Sequence, residues 1–526
     1  MPEGSPNAPN LAACARCGHV VYCSRECQKA HWKANHKQHC ITKANRAPQQ
    51  SQQNALNAPK IDALEAAVVL EECSICLEPL TDEPSKTLPC SHVFHGACVA
   101  ELRKFGVNQT CPLCRTALPP GPVKTFDEVT RRFMVVHLLV ERGSATWSTL
   151  PAWAQKELDA VVIGWRAAAD EGYAPAQLNL GILYDRGHGV EQSDVESAKW
   201  FERAAKQGDA YAQYNLGICF ESGQGVVQNH LEAARWYRRS AEQGQVQAQY
   251  SLGVNYEEGR GVAKSYVKAA QWIKKAAEQG DAQAQFHLGL IIDGGHGVAQ
   301  SHEMAARWFR KAADQRFVDA QFNMGVAFMQ GRGVAQSYVK AAQWWRKAAE
   351  QGQAQAQFKL GGMFRIGLGV ARRSDAEAAR WFKKAADQGD TDAQHMLGDM
   401  YEKGHGIPLN KKEAARWYKK AAERGNAEAQ FRLGSAYCAG SGVPQSYEEA
   451  GLWIKKAAQK GYAEGQWSLS LMFEKGVGVA QNDEEAMYWL KKAADQGIAE
   501  ATSKLTSKPK HELTDIQGDR RHRPAG

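Results

Sequence analysis

The chain is 526 residues long, 44% hydrophobic and 23% charged, with a formal net charge of +8. That length is too great for one hydrophobic core and the balance is that of ordinary globular proteins, so several domains are expected. The longest largely apolar run, Phe133 to Val140, stops after eight residues, far short of the ~20 needed for a membrane-spanning helix. The opening residues, MPEGSPNAPN, lack the basic and apolar segments of a secretory signal, so a reducing compartment, cytoplasmic and/or nuclear, is expected. Residues 1–60 carry 8 Lys+Arg against 2 Asp+Glu, residues 61–150 carry 8 against 11, residues 151–505 carry 44 against 41, and residues 506–526 carry 5 against 3. The bulk of the chain is therefore close to neutral and offers no positive stripe for nucleic acid. Of thirteen cysteines, eleven fall between residues 14 and 114 among histidines at short spacings, which is metal-site usage rather than a disulfide framework.

The first cluster, residues 14–40, runs Cys14-x2-Cys17-x5-Cys23-x3-Cys27 and then His36-x3-Cys40. With YCSRECQ followed by HWK and HK it resembles a MYND finger, which implies zinc binding and, by analogy, recognition of short peptides. The resemblance pairs Cys14, Cys17, His36 and Cys40 at one zinc and leaves Cys23 and Cys27 without partners. One or two zinc ions are thus implied. The pair of ligands expected before Cys14 is missing, and a residue is added between Trp32 and His36. Either His19, His31 or His39 substitutes, or the second site is empty, or the natural chain begins further upstream, which is the expectation we carry forward. Residues 41–60, rich in Gln, Asn, Ala and Pro, read as a disordered linker.

Residues 73–115 hold eight soft or borderline ligands in the order Cys73-x2-Cys76-x13-Cys90-x-His92-x2-His95-x2-Cys98-x12-Cys111-x2-Cys114. Eight such ligands fill two tetrahedral zinc sites, and closed four-ligand sites leave no open position for catalysis by the metal. The order C3-H2-C3, the segment CSHVFHGAC and the ending CPLCR resemble a RING finger of the two-histidine type. That resemblance implies Cys73, Cys76, His95 and Cys98 at one zinc and Cys90, His92, Cys111 and Cys114 at the other. It also implies a surface for a ubiquitin-conjugating enzyme made by Ile75, Leu102 and Pro112, with Arg115 touching both that enzyme and its ubiquitin. Leu102 stands where many members carry tryptophan. Phe94, between the histidines, reads as core.

Pro119 to Pro122 breaks the chain, and within residues 116–150, otherwise read as linker, Phe126 to Glu141 has helical apolar spacing. From 151 to 505 the sequence repeats itself. Leu-Gly or a close variant recurs at Gly181, Gly217, Gly253, Gly289, Gly325, Gly361, Gly398 and Gly434, with Ser470 ninth, and tryptophan recurs from Trp200 to Trp489 in the same phase. Each unit predicts two helices: an Ala-rich first helix ending at a Gly-x-Gly turn, and a second opened by an N-cap residue from Ser193 to Asn482. Six of the nine caps have glutamate three residues later, as Ser193 does in Glu196, which predicts a reciprocal capping box. Basic residues near the end of the second helix complement its dipole. A closing glycine recurs in every unit except at Arg316, where a positive φ would cost about 1 kcal/mol. The tryptophans, Cys219 and Cys438 read as core. The opening A-x-A-Q-x-x-L-G, the turn and the close A-x-x-W-x-x-K-A-A resemble Sel1-like repeats, implying a right-handed solenoid that binds proteins. The tail, residues 506–526, reads as a disordered basic end.

The fold expected is therefore mostly α: an α-solenoid of about nine helix-pair repeats preceded by two small zinc fingers. Two functions compete. In the first, a RING-type ubiquitin ligase holds a conjugating enzyme and its ubiquitin while the solenoid recruits a protein substrate, with no catalytic residue of the chain touching the acyl carbon. In the second, all modules only bind proteins as a scaffold. The eight ligands and Arg115 favour the first. A chromatin-regulating reading lacks the catalytic segment it would need.

Overall fold

The computed structural model describes residues 121–507 continuously and, before them, residues 85–88, 92–95, 98, 99, 111 and 113. Of the stretches read as disordered, 41–60 and residues 508–526 of the tail lie outside the described residues, whereas 506 and 507 belong to the helix Ala499–Ser507. The chain divides after Gln245 into two compact units.

In the first unit two short strands, β1 (Ser85–Thr87) and β2 (Val93–His95), pair antiparallel with Ser85 opposite His95 and Thr87 opposite Val93. Two longer helices follow, α1 (Pro122–Glu141) and α2 (Ala152–Asp170). Pro122 supplies the fixed φ favoured at a first helical position, so α1 starts four residues before Phe126. Phe126 of α1 stacks on Trp165 and Phe133 meets the same ring at a tilt, while the indole Nε1 donates to Thr130 Oγ1 at 3.0 Å. Gly164 of α2 lies so close to Val129 that any Cβ would press on it. The stretch read as linker thus contributes half of a helix pair, although it lacks the Leu-Gly and Gly-x-Gly marks of the repeats. Two regular pairs complete the unit: Ala174–Arg186 with Asp194–Lys206, and Ala210–Ser222 with His230–Glu242. The second unit stacks seven pairs, from Val246–Glu258 with Tyr266–Glu278 to Ala463–Lys475 with Asp483–Asp495, and ends on Ala499–Ser507. Within each unit this is the α-solenoid architecture, in which neighbouring pairs share one core.

The repeat is written into each element. All nine second helices open on the expected Ser or Asn, whose side-chain oxygen accepts from the backbone N–H three residues on, as Ser193 Oγ does from Glu196 N at 3.3 Å. The capping box, however, forms only on that side. Each cap residue's own N–H donates to a carbonyl near the end of the preceding helix, as Ser193 N does to Tyr184 O (2.9 Å) and Asn410 N to Tyr401 O (2.8 Å). With that donor taken, the glutamates turn to nearby cations and indoles: Glu377 to Arg380 at 2.9 Å, and Glu485 to the Nε1 of Trp489 at 3.0 Å. The cap therefore ties the two helices of a pair together, which a local capping box would not do.

Both glycines of every Gly-x-Gly turn have positive φ, and the second is also required by space. A Cβ on Gly225 would collide with the Asp194 carbonyl, and one on Gly333 with that of His302. The closing position is likewise left-handed throughout, and Arg316 adopts φ 67° there, so the cost of about 1 kcal/mol applies.

Candidate functional site: the RING hairpin and the repeat surfaces

Four of the residues assigned to the RING site are described: His92, His95, Cys98 and Cys111. The other RING ligands, Cys73, Cys76, Cys90 and Cys114, lie outside the described residues. So do Ile75, Leu102, Pro112 and Arg115, and the first-finger ligands Cys14, Cys17, Cys23, Cys27, His36 and Cys40.

The hairpin positions both histidines. Phe94 is fully buried, as its placement between them required, and His95 is almost so. Leu88 N donates to His92 O at 2.8 Å, which fixes the backbone of His92 at the edge of the hairpin. Although nineteen residues separate them in sequence, His92 Nδ1 and the buried Cys111 Sγ approach to 3.7 Å. A zinc ion bound tetrahedrally through a thiolate at ~2.3 Å and an imidazole at ~2.0 Å would hold its two donors about 3.6 Å apart. The donor chemistry and the separation therefore both fit zinc. Leu113, between Pro112 and Cys114 in the CPLC segment, is 52% exposed. Sequence reasoning passed over it, yet a residue between two metal-directed cysteines is well placed to face outward.

In the repeats two features were missed. The tryptophan column packs between helices, but it is also lidded. Each of the eight tryptophans from Trp200 to Trp453 has the Lys or Arg three residues later over its ring, at 3.9 Å for Lys347 on Trp344 and 4.5 Å for Arg239 on Trp236. The basic residues read as dipole partners are thus also cation–π partners, worth about 0.5–1 kcal/mol each at such half-exposed sites. The spacing W-x-x-K was the available signal.

The second feature is the glutamine of the A-x-A-Q opening, buried in all nine repeats. Its Nε2 donates to a carbonyl eight residues back, as Gln321 does to Ala313 O at 3.1 Å. Its Oε1 accepts from a glutamine of the helix that follows, as Gln321 does from Gln351 at 2.8 Å, and seven such pairs recur. In the remaining two repeats the donor is replaced by Arg424 or Lys460, and there Gln394 Oε1 and Gln430 Oε1 are buried without a partner.

The two repeat cysteines differ. Cys219 is buried, and burial pushes its thiol up to about 11, whereas Cys438 is only half-buried, a departure from the core reading. Burial also raises Cys438, so neither thiol is poised as a nucleophile at neutral pH. The seventh repeat departs most from the pattern. Asp399 is buried where other repeats are mainly apolar, and it is held by Arg365 at 3.2 Å and Lys403 at 2.6 Å.

Comparison with known proteins agrees with this division. The Ring finger domain family matches residues 71–115 and the MYND finger family residues 4–40, so both fingers imply zinc binding. Among curated proteins, the chain is 45% identical over 53 residues to RING-H2 finger protein ATL34 of Arabidopsis thaliana, covering 10% of this chain and 16% of that protein. It is 28% identical over 183 residues to E3 ubiquitin protein ligase RIN3 of the same plant, covering 28% and 31%. It is 36% identical over 97 residues to E3 ubiquitin-protein ligase RNF181 of Xenopus laevis, covering 18% and 61%. The chain thus spans less than a third of the length of ATL34 and RIN3. Among solved structures, c5321 of uropathogenic Escherichia coli, described as an SLR fold, is 28% identical over 76% of this chain and 93% of its own, with a TM-score of 0.49. The Sel1 repeat family matches nine consecutive segments from 174 to 498, more than half of the chain, each spanning one first and one second helix, and the chain belongs to that family.

Proposed function

We propose that this chain is a RING-type E3 ubiquitin ligase whose Sel1 repeats recruit the protein to be modified. The observation that carries the reading is the complete set of eight candidate ligands inside the segment that matches the Ring finger domain family, and similarity to proteins named as ubiquitin ligases supports it. Two zinc ions in this finger, on Cys73, Cys76, His95 and Cys98 and on Cys90, His92, Cys111 and Cys114, would cross-link its loops. The 3.7 Å approach of His92 to Cys111 supports the second set. One or two further ions belong to the MYND finger.

Ile75, Leu102 and Pro112 dock a ubiquitin-conjugating enzyme, and the exposed Leu113 offers it a further apolar side chain. Arg115 donates to the enzyme and its ubiquitin together. The rate gain comes from restricting the thioester to a pose open to lysine attack, without a covalent intermediate on this chain. The repeats, which imply protein interactions, hold the substrate within reach. The setting is cytoplasmic and/or nuclear. Autoubiquitination by the full chain against a panel of conjugating enzymes tests this. Activity with at least one of them, lost in Ile75→Ala with zinc content unchanged, is the expected result. No activity with any would leave a protein-binding scaffold.

A further inference from the structure

Among the repeats of the second unit, one surface departs from its neighbours in charge. A cavity of about 460 Å³ opens between successive second helices and is floored by the buried Phe328 and the half-buried Trp344. Its rim carries Arg310, Lys340, Arg346 and Lys347 against a single acid, Glu350. None of the four cations forms an ion pair among the described residues. They rest on rings instead. Arg310 and Lys340 lie over Phe328 at 5.9 and 5.3 Å, Lys347 over Trp344 at 3.9 Å and Arg346 over Phe364 at 5.6 Å.

The excess has a definite origin in the repeat. Six of the nine repeats place glutamate three residues after the cap of the second helix. Four of those six follow it three residues later with a basic residue that binds it, as Arg380 binds Glu377 and Arg416 Glu413. In this repeat the glutamate is replaced by Lys340 and the basic partner by the neutral Gln343. The cap itself is kept, because Ser337 Oγ still accepts from Lys340 N. Nothing about helix formation therefore asks for the lysine. Residues 302–350 hold eight Lys+Arg against four Asp+Glu, while the whole of 151–505 holds 44 against 41. Residues 351–374 add Lys359, Arg365, Arg372 and Arg373 with no acid, but Arg365 is held by Asp399 and Arg373 by Asp375.

We infer that this cavity is a binding site for an acidic peptide segment of a partner protein, its carboxylates on Arg310, Lys340 and Arg346 and its apolar side chains against Phe328 and Trp344. Four cations are spread over three rings, two of them on Phe328, which matches a row of single charges better than one doubly charged phosphate. A polynucleotide needs a continuous positive track, whereas beyond the cavity Arg365 is already held by Asp399 and Arg373 by Asp375. A cation already stripped of part of its water by an aromatic face also gives up less on meeting a carboxylate. The inference does not depend on the RING being active, because its test reads binding alone.

The test uses the full zinc-loaded chain and fluorescence anisotropy with four labelled probes: a decapeptide alternating Glu and Leu, its Gln-for-Glu counterpart, a Gln/Leu peptide with one phosphoserine, and a single-stranded dT20. The expected result is binding of the Glu/Leu peptide, weakened by added salt and weakened tenfold or more in Lys340→Glu. That variant restores the residue found in six other repeats, so its fold is not at issue, and circular dichroism checks it. Arg310→Gln should weaken binding severalfold, and Lys455→Glu, three to four repeats away, should leave it unchanged. Equal binding by wild type and Lys340→Glu, or by the Glu and Gln peptides, would overturn the site. Tighter binding of the phosphoserine peptide or of dT20 would overturn the assignment of its ligand.

Discussion

The fingers and the repeats carry structural information in opposite ways. In the RING segment few residues carry the pattern: His92 and Cys111, nineteen positions apart, meet at 3.7 Å with donor chemistry that suits one zinc ion. In the repeats no single residue is decisive, because the N-cap, the left-handed glycines, the buried glutamine and the lidded tryptophan recur in phase. A metal-built domain is therefore brittle to the loss of one ligand. A solenoid, whose contacts lie between neighbours, spreads such a loss over one or two pairs.

The largest expected effect separates the two regions directly. Removing zinc with a strong chelator should unfold the fingers, since for zinc-built domains metal binding supplies ~10–16 kcal/mol of apparent folding free energy. Far-ultraviolet circular dichroism should retain nearly all its helical signal, and a general collapse would show that the repeats lean on the fingers.

Within the repeats, sensitivity should follow packing rather than position. Gly325 faces Trp345, and an added Cβ would collide with the indole, so Gly325→Ala should destabilise by about 1–3 kcal/mol. Gly362, also helical, has nothing within 4 Å of a would-be Cβ, and Gly362→Ala should stabilise by about 0.5–1 kcal/mol. Urea midpoints that moved in the same direction for both would contradict the packing account.

A smaller gain should come from repairing the glutamine ladder. Arg424→Gln and Lys460→Gln each supply a donor to a buried orphaned oxygen, on Gln394 and Gln430, worth about 1 kcal/mol apiece. For Arg424→Gln the bond from Arg424 to Gly389 O is not forfeited, because Gln315 makes the same contact to Gly280 O alongside its ladder bond. Unchanged midpoints would mean that water already serves those oxygens.

Much of this fold could be read from the sequence, because repetition averages away ambiguity. A tryptophan or an N-cap seen nine times in phase leaves little room for another reading, and all nine caps form as read. What escaped was interaction between elements. The glutamates of the expected capping boxes are free because the cap N–H is spent on the preceding helix, and no local pattern announces a bond nine residues back. The helix expected from Phe126 to Glu141 forms, but its pairing with α2 escaped because it runs through Phe126, Phe133 and Trp165, outside the repeat's own signature. The RING segment was legible from the spacing of its cysteines and histidines, and the family match at 71–115 agrees. Leu113 was not, because exposure is a property of the fold.

The claim that chemistry resides in the RING and contact in the repeats is met most directly by one assay, the discharge of ubiquitin from a conjugating-enzyme thioester to free lysine in the presence of the full chain. The chain should accelerate discharge. Arg115→Ala should remove most of that acceleration while leaving enzyme binding largely intact, because its guanidinium would grip the conjugating enzyme and the ubiquitin at once. Deletion of residues 318–353, one repeat in register, should leave the acceleration unchanged. No acceleration by the unaltered chain, or an Arg115→Ala variant as fast as it while the repeat deletion slows the reaction, would contradict the account.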